Sequence, residues 1–343
     1  MEDKKLILIG FGNVARALVR LIDAKQEVLK SQYGFSTRVT AIVTANHGTA
    51  FNRDGLNTEE AIRLVTSGKS LNSLSTEPVP AAVDEFIRLS GADILFENSP
   101  VNHKTGQPAI DHLKAGLECG MHAITANKGP VAYAYRELTD MAKAKNRHFY
   151  FESSVMDGAP IFSLFREPLP AIEIKGFRGI LNSTTNIILG LMEQGRSFDE
   201  AVSYTQEIGM AETDPSADID GWDASIKVAI LATVIMGMPV TPDQVDRTGI
   251  RKITKEMVQE AFKAGERWKL VCSAAREGKK LITKVAPERV APDSQFYSIN
   301  GSSSCVQFET DILPALGIIE GNPNPMTTAY GLLADLVNAV RND

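Results

Sequence analysis

The sequence predicts an α/β protein in which a doubly wound parallel sheet is followed by an α+β domain. Short apolar runs alternate with helical patterns from the start to about Glu152, the rhythm of strands joined by helical crossovers. A Gly10-x-Gly12-x-x-Ala15 turn joins the first apolar run to the first helical pattern. From about Ser153 the alternation gives way to longer strand-like runs set among successive helices.

The elements follow in order. KLILI (5–9) is a short apolar strand, and a helical pattern runs from the glycine turn to residue 29. Residues 38–43 form the second strand. The segment 51–81 is less regular, with a helix over 58–65. DILFE (93–97) is a strand, 108–119 a helix, 122–126 a strand, 133–146 a helix and 148–152 a strand. Beyond Ser153, AIEIKGFRGIL (171–181) is a long strand, and helices cover 184–194, 198–208 and 223–236. Strand-like runs at 268–275, 280–286 and 303–310 complete a sheet with helices on one face. The amphipathic helix at 327–340 is placed to pack back on the first domain. The expected division is 1–152, 153–326 and 327–343.

The chain has 343 residues and a net charge of −6, with no long basic run, which argues against a nucleic-acid partner. It lacks an apolar leader with a cleavage site and any apolar run of spanning length, so the expected setting is the cytoplasm with no membrane partner. Cys119, Cys272 and Cys305 are far apart, and the five histidines show no ligand spacing; neither a disulfide framework nor a transition-metal site is expected.

The turn Gly10, Phe11, Gly12, Asn13, Val14, Ala15 has the form of a dinucleotide fingerprint, and with it the first domain reads as Rossmann-type. Gly10 permits the tight turn, Gly12 lets a pyrophosphate approach the backbone, and Ala15 lets helix and strand pack closely. A Gly-containing turn without a ligand is the alternative. The second strand ends Val43-Thr44-Ala45-Asn46-His47 without the acid that would hold the ribose 2′-OH of NAD. NADP is therefore favoured over NAD, with Arg53 the nearest downstream arginine for a 2′-phosphate. Asn98, Ser99, Pro100 and Lys128 fall just past the carboxyl ends of later strands, where ligands bind in such sheets. Lys128 is alternatively a solvated loop lysine.

The stretch from Gly209 to Lys227 gathers Glu212, Asp214, Asp218, Asp220 and Asp223, then opens an almost wholly apolar helix whose only basic residue is Lys227. Asp223 and Lys227, four apart, share one helical face. They form either a site or a structural ion pair; spacing alone leaves both open.

Taken together, KGFRGILNSTTNIILGLMEQG (175–195), GMAETDPSADIDGWDASIK (209–227), TANKGP (125–130) and GFGNVA (10–15) resemble homoserine dehydrogenases in content, spacing and order, over residues 5–340. The resemblance implies NAD(P)-dependent interconversion of L-aspartate 4-semialdehyde and L-homoserine by a homodimer. It implies Lys227 as proton donor, Glu212 and Asp223 as ligands of the substrate amino group, and Lys128 as a second lysine touching substrate or cofactor. Gly209, with Asn98, Ser99 and Pro100, is implied to contact cofactor. Glu152, with the carbonyls of Val155, Asp157 and Ala159, is implied to bind a monovalent cation, Na⁺. Three departures stand out: Ser183 where the family has Gly, the bulkier Met156-Asp157 pair, and a turn with two prolines before the last helix. An appended ligand-sensing domain is not expected. Competing expectations are a related dehydrogenase of another amino-acid-like carbonyl, and a nucleotide-binding protein without catalysis.

Overall fold

The apolar run KLILI becomes the core of β1 (Glu2–Ile9), a central strand of a six-stranded sheet. A computed structural model describes residues 2–342. The chain divides into two compact units, Met1–Pro160 with Asn324–Asp343, and Ile161–Pro323.

In the first unit, α1 (Asn13–Tyr33) leads to β2 (Phe35–Val43) and a short antiparallel strand β3 (Thr49–Phe51). Then come α2 (Thr58–Thr66), α3 (Val83–Ser90), β4 (Ile94–Glu97), α4 (Ala109–Glu118), β5 (His122–Thr125), α5 (Lys128–Ala144) and β6 (Phe149–Tyr150). The strand order is β3-β2-β1-β4-β5-β6, parallel except for β3. The chain winds outward from β1 to β3, then returns to β4 on the other side of β1. This reversal places a switch point between β1 and β4, where open α/β sheets bind ligands.

Strand periodicity divides the side chains between two faces. Leu6, Leu8, Ile94, Phe96 and Ile124 join the core with α1, α2 and the C-terminal helix Pro325–Arg341, through Leu18, Ile22, Ala61, Leu332, Leu336 and Ala339. The alternate residue Leu95 faces α4, where a Cβ on Gly116 would lie 2.9 Å from its Cδ1. Residues 153–160 also pack with this unit: Ser153 Oγ donates to Thr328 O at 2.7 Å, and the Glu152 N–H donates to Asp335 Oδ2 at 2.7 Å.

The second unit contains α6 (Phe162–Arg166), β7 (Ile174–Ile180), α7 (Ser183–Glu193), α8 (Phe198–Glu207), α9 (Ser216–Ile219), α10 (Trp222–Val234), β8 (Asp246–Arg247), α11 (Lys255–Lys263), β9 (Arg267–Glu277), β10 (Lys280–Val290), β11 (Ser304–Thr310) and β12 (Leu316–Glu320). Its strand order is β12-β11-β7-β9-β10-β8, antiparallel except for β10 with β8. Helices α7, α10 and α11 pack against β9. Along β10, Thr283 and Val285 are buried while Lys280, Ile282 and Lys284 are exposed, so the strand has one covered side and one open side. Ile319 on the edge strand β12 is 68% exposed.

Lys269 on β9 is a buried cation, 2% exposed, donating to Asn186 Oδ1 at 2.8 Å and Ile299 O at 2.5 Å. Burial lowers its pKa to about 8, against partial support from Glu193. Between this value and the ordinary lysine value the unfolded chain binds more protons than the folded one, so stability from this group rises with pH. Relative to Lys269→Met, wild type is expected to gain stability from pH ~8 to pH ~10.5, by at most about 3 kcal/mol. Parallel denaturant melts across this range test the sign; a constant difference would show that Lys269 does not titrate there.

Candidate active site

At the end of β1 the backbone turns sharply. Gly10 N–H donates to Val43 O at 2.8 Å, and Asn98 N–H donates to Ile9 O at 2.7 Å, so the ends of β2, β1 and β4 are tied together. Gly10 has φ +88°, and a Cβ there would lie 2.5 Å from Asn98 O. Gly12 is the N-cap of α1 with no side-chain cap, and a Cβ on it would meet nothing within 4 Å. The uncapped N–H groups and positive end of the helix dipole at this open position suit a pyrophosphate. Ala15 and Phe11 are buried, Val14 is half-buried, and Asn13 is exposed, accepting from Arg16 Nη2 at 2.6 Å. Beside Gly10, both side-chain polar atoms of Asn98 are buried without a hydrogen-bond partner among the described residues. Buried amides are ordinarily satisfied, so a ligand that supplies a donor and an acceptor here fits the chemistry.

After β2 the chain makes a turn closed by Thr44 Oγ1, which donates to Gly48 O and accepts from His47 N–H, both at 2.8 Å. Arg53 does not stand free for a phosphate: its Nε lies 2.8 Å from Glu77 Oε2, and its guanidinium lies over the Phe51 ring. Its ion-pair partner is an acid 24 residues away, which local sequence does not reveal.

Ser99 and exposed Pro100 follow β4, with Ser99 N–H donating to Glu97 Oε1 at 3.2 Å. Lys128 is not a loop residue. It is the first residue of α5, where Asn127 caps the helix by accepting Gly129 N–H at 3.0 Å. The helix is kinked at Ala134, φ −135°, next to the predicted start at 133; the preceding segment with Gly129 and Pro130 is also helical, since proline is tolerated in a first turn.

In the second unit the acidic stretch separates by role. The Ser216 hydroxyl, and then the Ser216 N–H at 3.1 Å, lower the pKa of Asp214, and Asp220 is taken by Arg251. Glu212 is exposed; Gln206 Nε2 donates to its carbonyl at 3.2 Å. Gly209, φ +71° and exposed, lies two residues after α8. Asp218 and Asp223 meet at Asn182, whose Nδ2 donates to Asp218 Oδ1 at 2.7 Å and to Asp223 Oδ2 at 3.0 Å. Asn182 is also the N-cap of α7, accepting Thr185 N–H at 2.9 Å. Lys227 Nζ lies 3.3 Å from Asp223 Oδ2 and donates to Leu181 O at 2.5 Å. Burial, then repulsion from Asp223, raises the Asp218 pKa. The sequence suggested the Lys227–Asp223 pair but not Asn182 or Asp218 as its partners; Asn182 lies 41 residues from Asp223 and meets it only through tertiary structure. Ser183, the departure from the family glycine, donates Oγ to Ser302 O at 2.7 Å. Cys272 is fully buried, and desolvation pushes its thiol up to about 12, which disfavours a reactive thiolate.

Near the end of the first unit, Glu152 is 3% exposed and Val155 and Ala159 are buried. Asp157 has φ +36°, and its carboxylate accepts Thr327 Oγ1 at 2.8 Å. The Asp157 side chain is therefore engaged by the start of the C-terminal helix. A Glu152 carboxylate with backbone carbonyls is a hard-oxygen donor set that suits a monovalent cation.

A switch-point dinucleotide turn and, in the second unit, a half-buried lysine paired with a buried carboxylate are each features of a nicotinamide-dependent oxidoreductase. The family model for the NAD-binding domain of homoserine dehydrogenase matches residues 10–152, and the homoserine dehydrogenase model matches 160–337. The chain belongs to the homoserine dehydrogenase family. It is 35% identical over 98% of its length to an NAD(+)-dependent homoserine dehydrogenase of Pseudomonas canavaninivorans, covering 96% of that protein. It is also 35% identical to the homoserine dehydrogenase of Methanocaldococcus jannaschii, with 97% of each chain covered. A hyperthermophilic archaeal homoserine dehydrogenase in complex with NADPH superposes with a TM-score of 0.85 at 27% identity, covering 99% of this chain and 98% of that one.

Proposed function

We propose that the chain carries out the homoserine dehydrogenase reaction with Lys227 as proton donor, and that the observation carrying this assignment is the Lys227–Asp223–Asn182 cluster. Bound nicotinamide supplies the hydride to the aldehyde carbon. Negative charge then grows on the carbonyl oxygen, and the Lys227 ammonium stabilises it and delivers the proton. Asp223 and Glu212 hold the substrate α-ammonium, whose three donors suit paired carboxylates. Asp218 joins them through Asn182. Lys128 is the second lysine, in contact with substrate or cofactor. The residues Gly10 to Ala15, with Asn98, Ser99, Pro100, Lys128 and Gly209, hold the dinucleotide. Absence of an acid after β2 favours NADP, with Arg53 the nearest downstream arginine for its 2′-phosphate. Glu152, Val155, Asp157 and Ala159 bind Na⁺.

The open side of the second-unit sheet, with Ile282 and Ile319, supports a homodimer. Sedimentation of a single-chain mass at micromolar concentration would remove that assignment. The three free, widely separated cysteines fit a reducing cytoplasm, and membership of the homoserine dehydrogenase family supports a role in supplying threonine and methionine biosynthesis. The first test is steady-state oxidation of L-homoserine with NAD and NADP in parallel. Turnover is expected with both and a higher kcat/KM with NADP. Binding of dinucleotide without turnover would overturn the assignment and direct a panel of other hydroxy-amino acids.

A further inference from the structure

Glu97, the last residue of β4, is wholly buried, and charge at such a position needs partners. Its Oε1 accepts Ser99 N–H at 3.2 Å, takes the Ser99 hydroxyl and lies 3.4 Å from His112 Nδ1. Its Oε2 accepts Asn127 Nδ2 at 3.2 Å, and its backbone carbonyl accepts Thr125 Oγ1 at 2.7 Å. Asn127 also donates Nδ2 to Ser99 O at 3.1 Å and, with Oδ1, accepts the Gly129 N–H of α5. One carboxylate thus joins the Ser99 segment to the cap of the helix that begins at Lys128.

We propose that Glu97 is a positioning residue: it fixes Ser99–Pro100 against the dinucleotide and orients the start of α5, and so Lys128. This rests on the assignment of Ser99 and Lys128 given above. A carboxylate accepts and never donates when ionised, so both of its oxygens face N–H groups. That polarity turns the Asn127 amide with Nδ2 toward Glu97 and Oδ1 toward Gly129. Filling space alone would not require it. A glutamine in either orientation turns an NH2 toward an N–H, of Ser99 at one end or Asn127 at the other. The network then breaks at the dinucleotide segment or at the cap.

The test is Glu97→Gln, alone and combined with Asn127→Asp. In the double variant the glutamine NH2 faces an aspartate oxygen, and the other aspartate oxygen still accepts Gly129 N–H; the contact with Ser99 O becomes an approach of two acceptors, so the restoration is partial. Glu97→Gln is expected to raise the NADPH dissociation constant, read from nucleotide fluorescence, and to lower kcat, each by about 10- to 100-fold. The double variant is expected to recover about tenfold of the kcat loss, which general destabilisation would not allow. Wild-type constants in folded Glu97→Gln, or losses that the second substitution deepens, would overturn the proposal. Should Glu97→Gln not fold, Glu97→Asp keeps the charge on a shorter arm: a shifted NADPH dissociation constant supports the proposal and an unchanged one overturns it. Fluorescence titration needs no turnover, so wild type that binds NADPH but leaves homoserine untouched would fail the proposed reaction without deciding the role of Glu97.

Discussion

Lys227→Met is expected to lose about 10²- to 10⁴-fold in kcat, the range for a positioned proton donor, while dinucleotide affinity stays at the wild-type value. The side chain rises from an apolar helix, with Ile226, Val228, Ala229 and Ile230 all fully buried, so methionine keeps the helix and fills the space of the lysine stem. What it removes is the donor to Leu181 O and the countercharge of Asp223. Asn182 still donates to Asp223, so the carboxylate does not lose every partner. Lys227→Arg is not expected to rescue, because guanidinium stays protonated and does not fit the small donor geometry. Steady-state kinetics with a separate nucleotide titration measures both effects. An unchanged kcat would take Lys227 out of the chemistry.

Gly10→Ala is expected to destabilise the fold by about 2–4 kcal/mol, combining left-handed backbone strain with a steric clash. Its Cβ would lie 2.5 Å from Asn98 O, 2.7 Å from Asn98 C and 2.9 Å from Ser99 N, all backbone atoms that cannot rotate away. The strand end that must move carries Asn98 and Ser99, so dinucleotide affinity should fall together with Tm. Gly12→Ala is the contrast. Open space surrounds the added methyl, so Tm should hold while dinucleotide affinity drops. Thermal melts and nucleotide titration of the two variants separate a folding effect from a ligand effect. Equal Tm values for Gly10→Ala and wild type would refute the steric account.

The parts of the fold legible in the sequence were those with strong local signals. The first strand, glycine turn and first helix follow from apolar run, small residues and period, although α1 continues to Tyr33 until Gly34 ends it in a left-handed conformation. The apolar helix α10 was legible because nearly all its faces are buried. Short amphipathic helices were harder: VDEFIRLS (α3) and KEMVQEAFK (α11) carry charged residues on their open faces and give only two turns of pattern. The edge strand β12 gives little signal in the sequence because LGIIE is short and includes a glycine. In the candidate site, the lysine–carboxylate spacing was visible along one helix. The bridge through Asn182 and the choice of Asp218, rather than Asp214 or Asp220, required contacts between distant segments.

The helix at Pro325–Arg341 belongs to the unit that opens the chain, and the whole of Ile161–Pro323 is an insertion between the two pieces. Leu332, Leu336 and Ala339 fill the same core as Leu6 and Leu8. During synthesis the nucleotide-binding half therefore emerges first but lacks part of its interior, whereas the inserted half is contiguous and has all its strands before the last helix leaves the ribosome. The expected order of maturation is the reverse of the order of translation, because the half made second can close before the first is complete. Pulsed hydrogen exchange on stalled chains ending before Asn324 would display that reversal as protection in β7 and β9 ahead of β1 and β4.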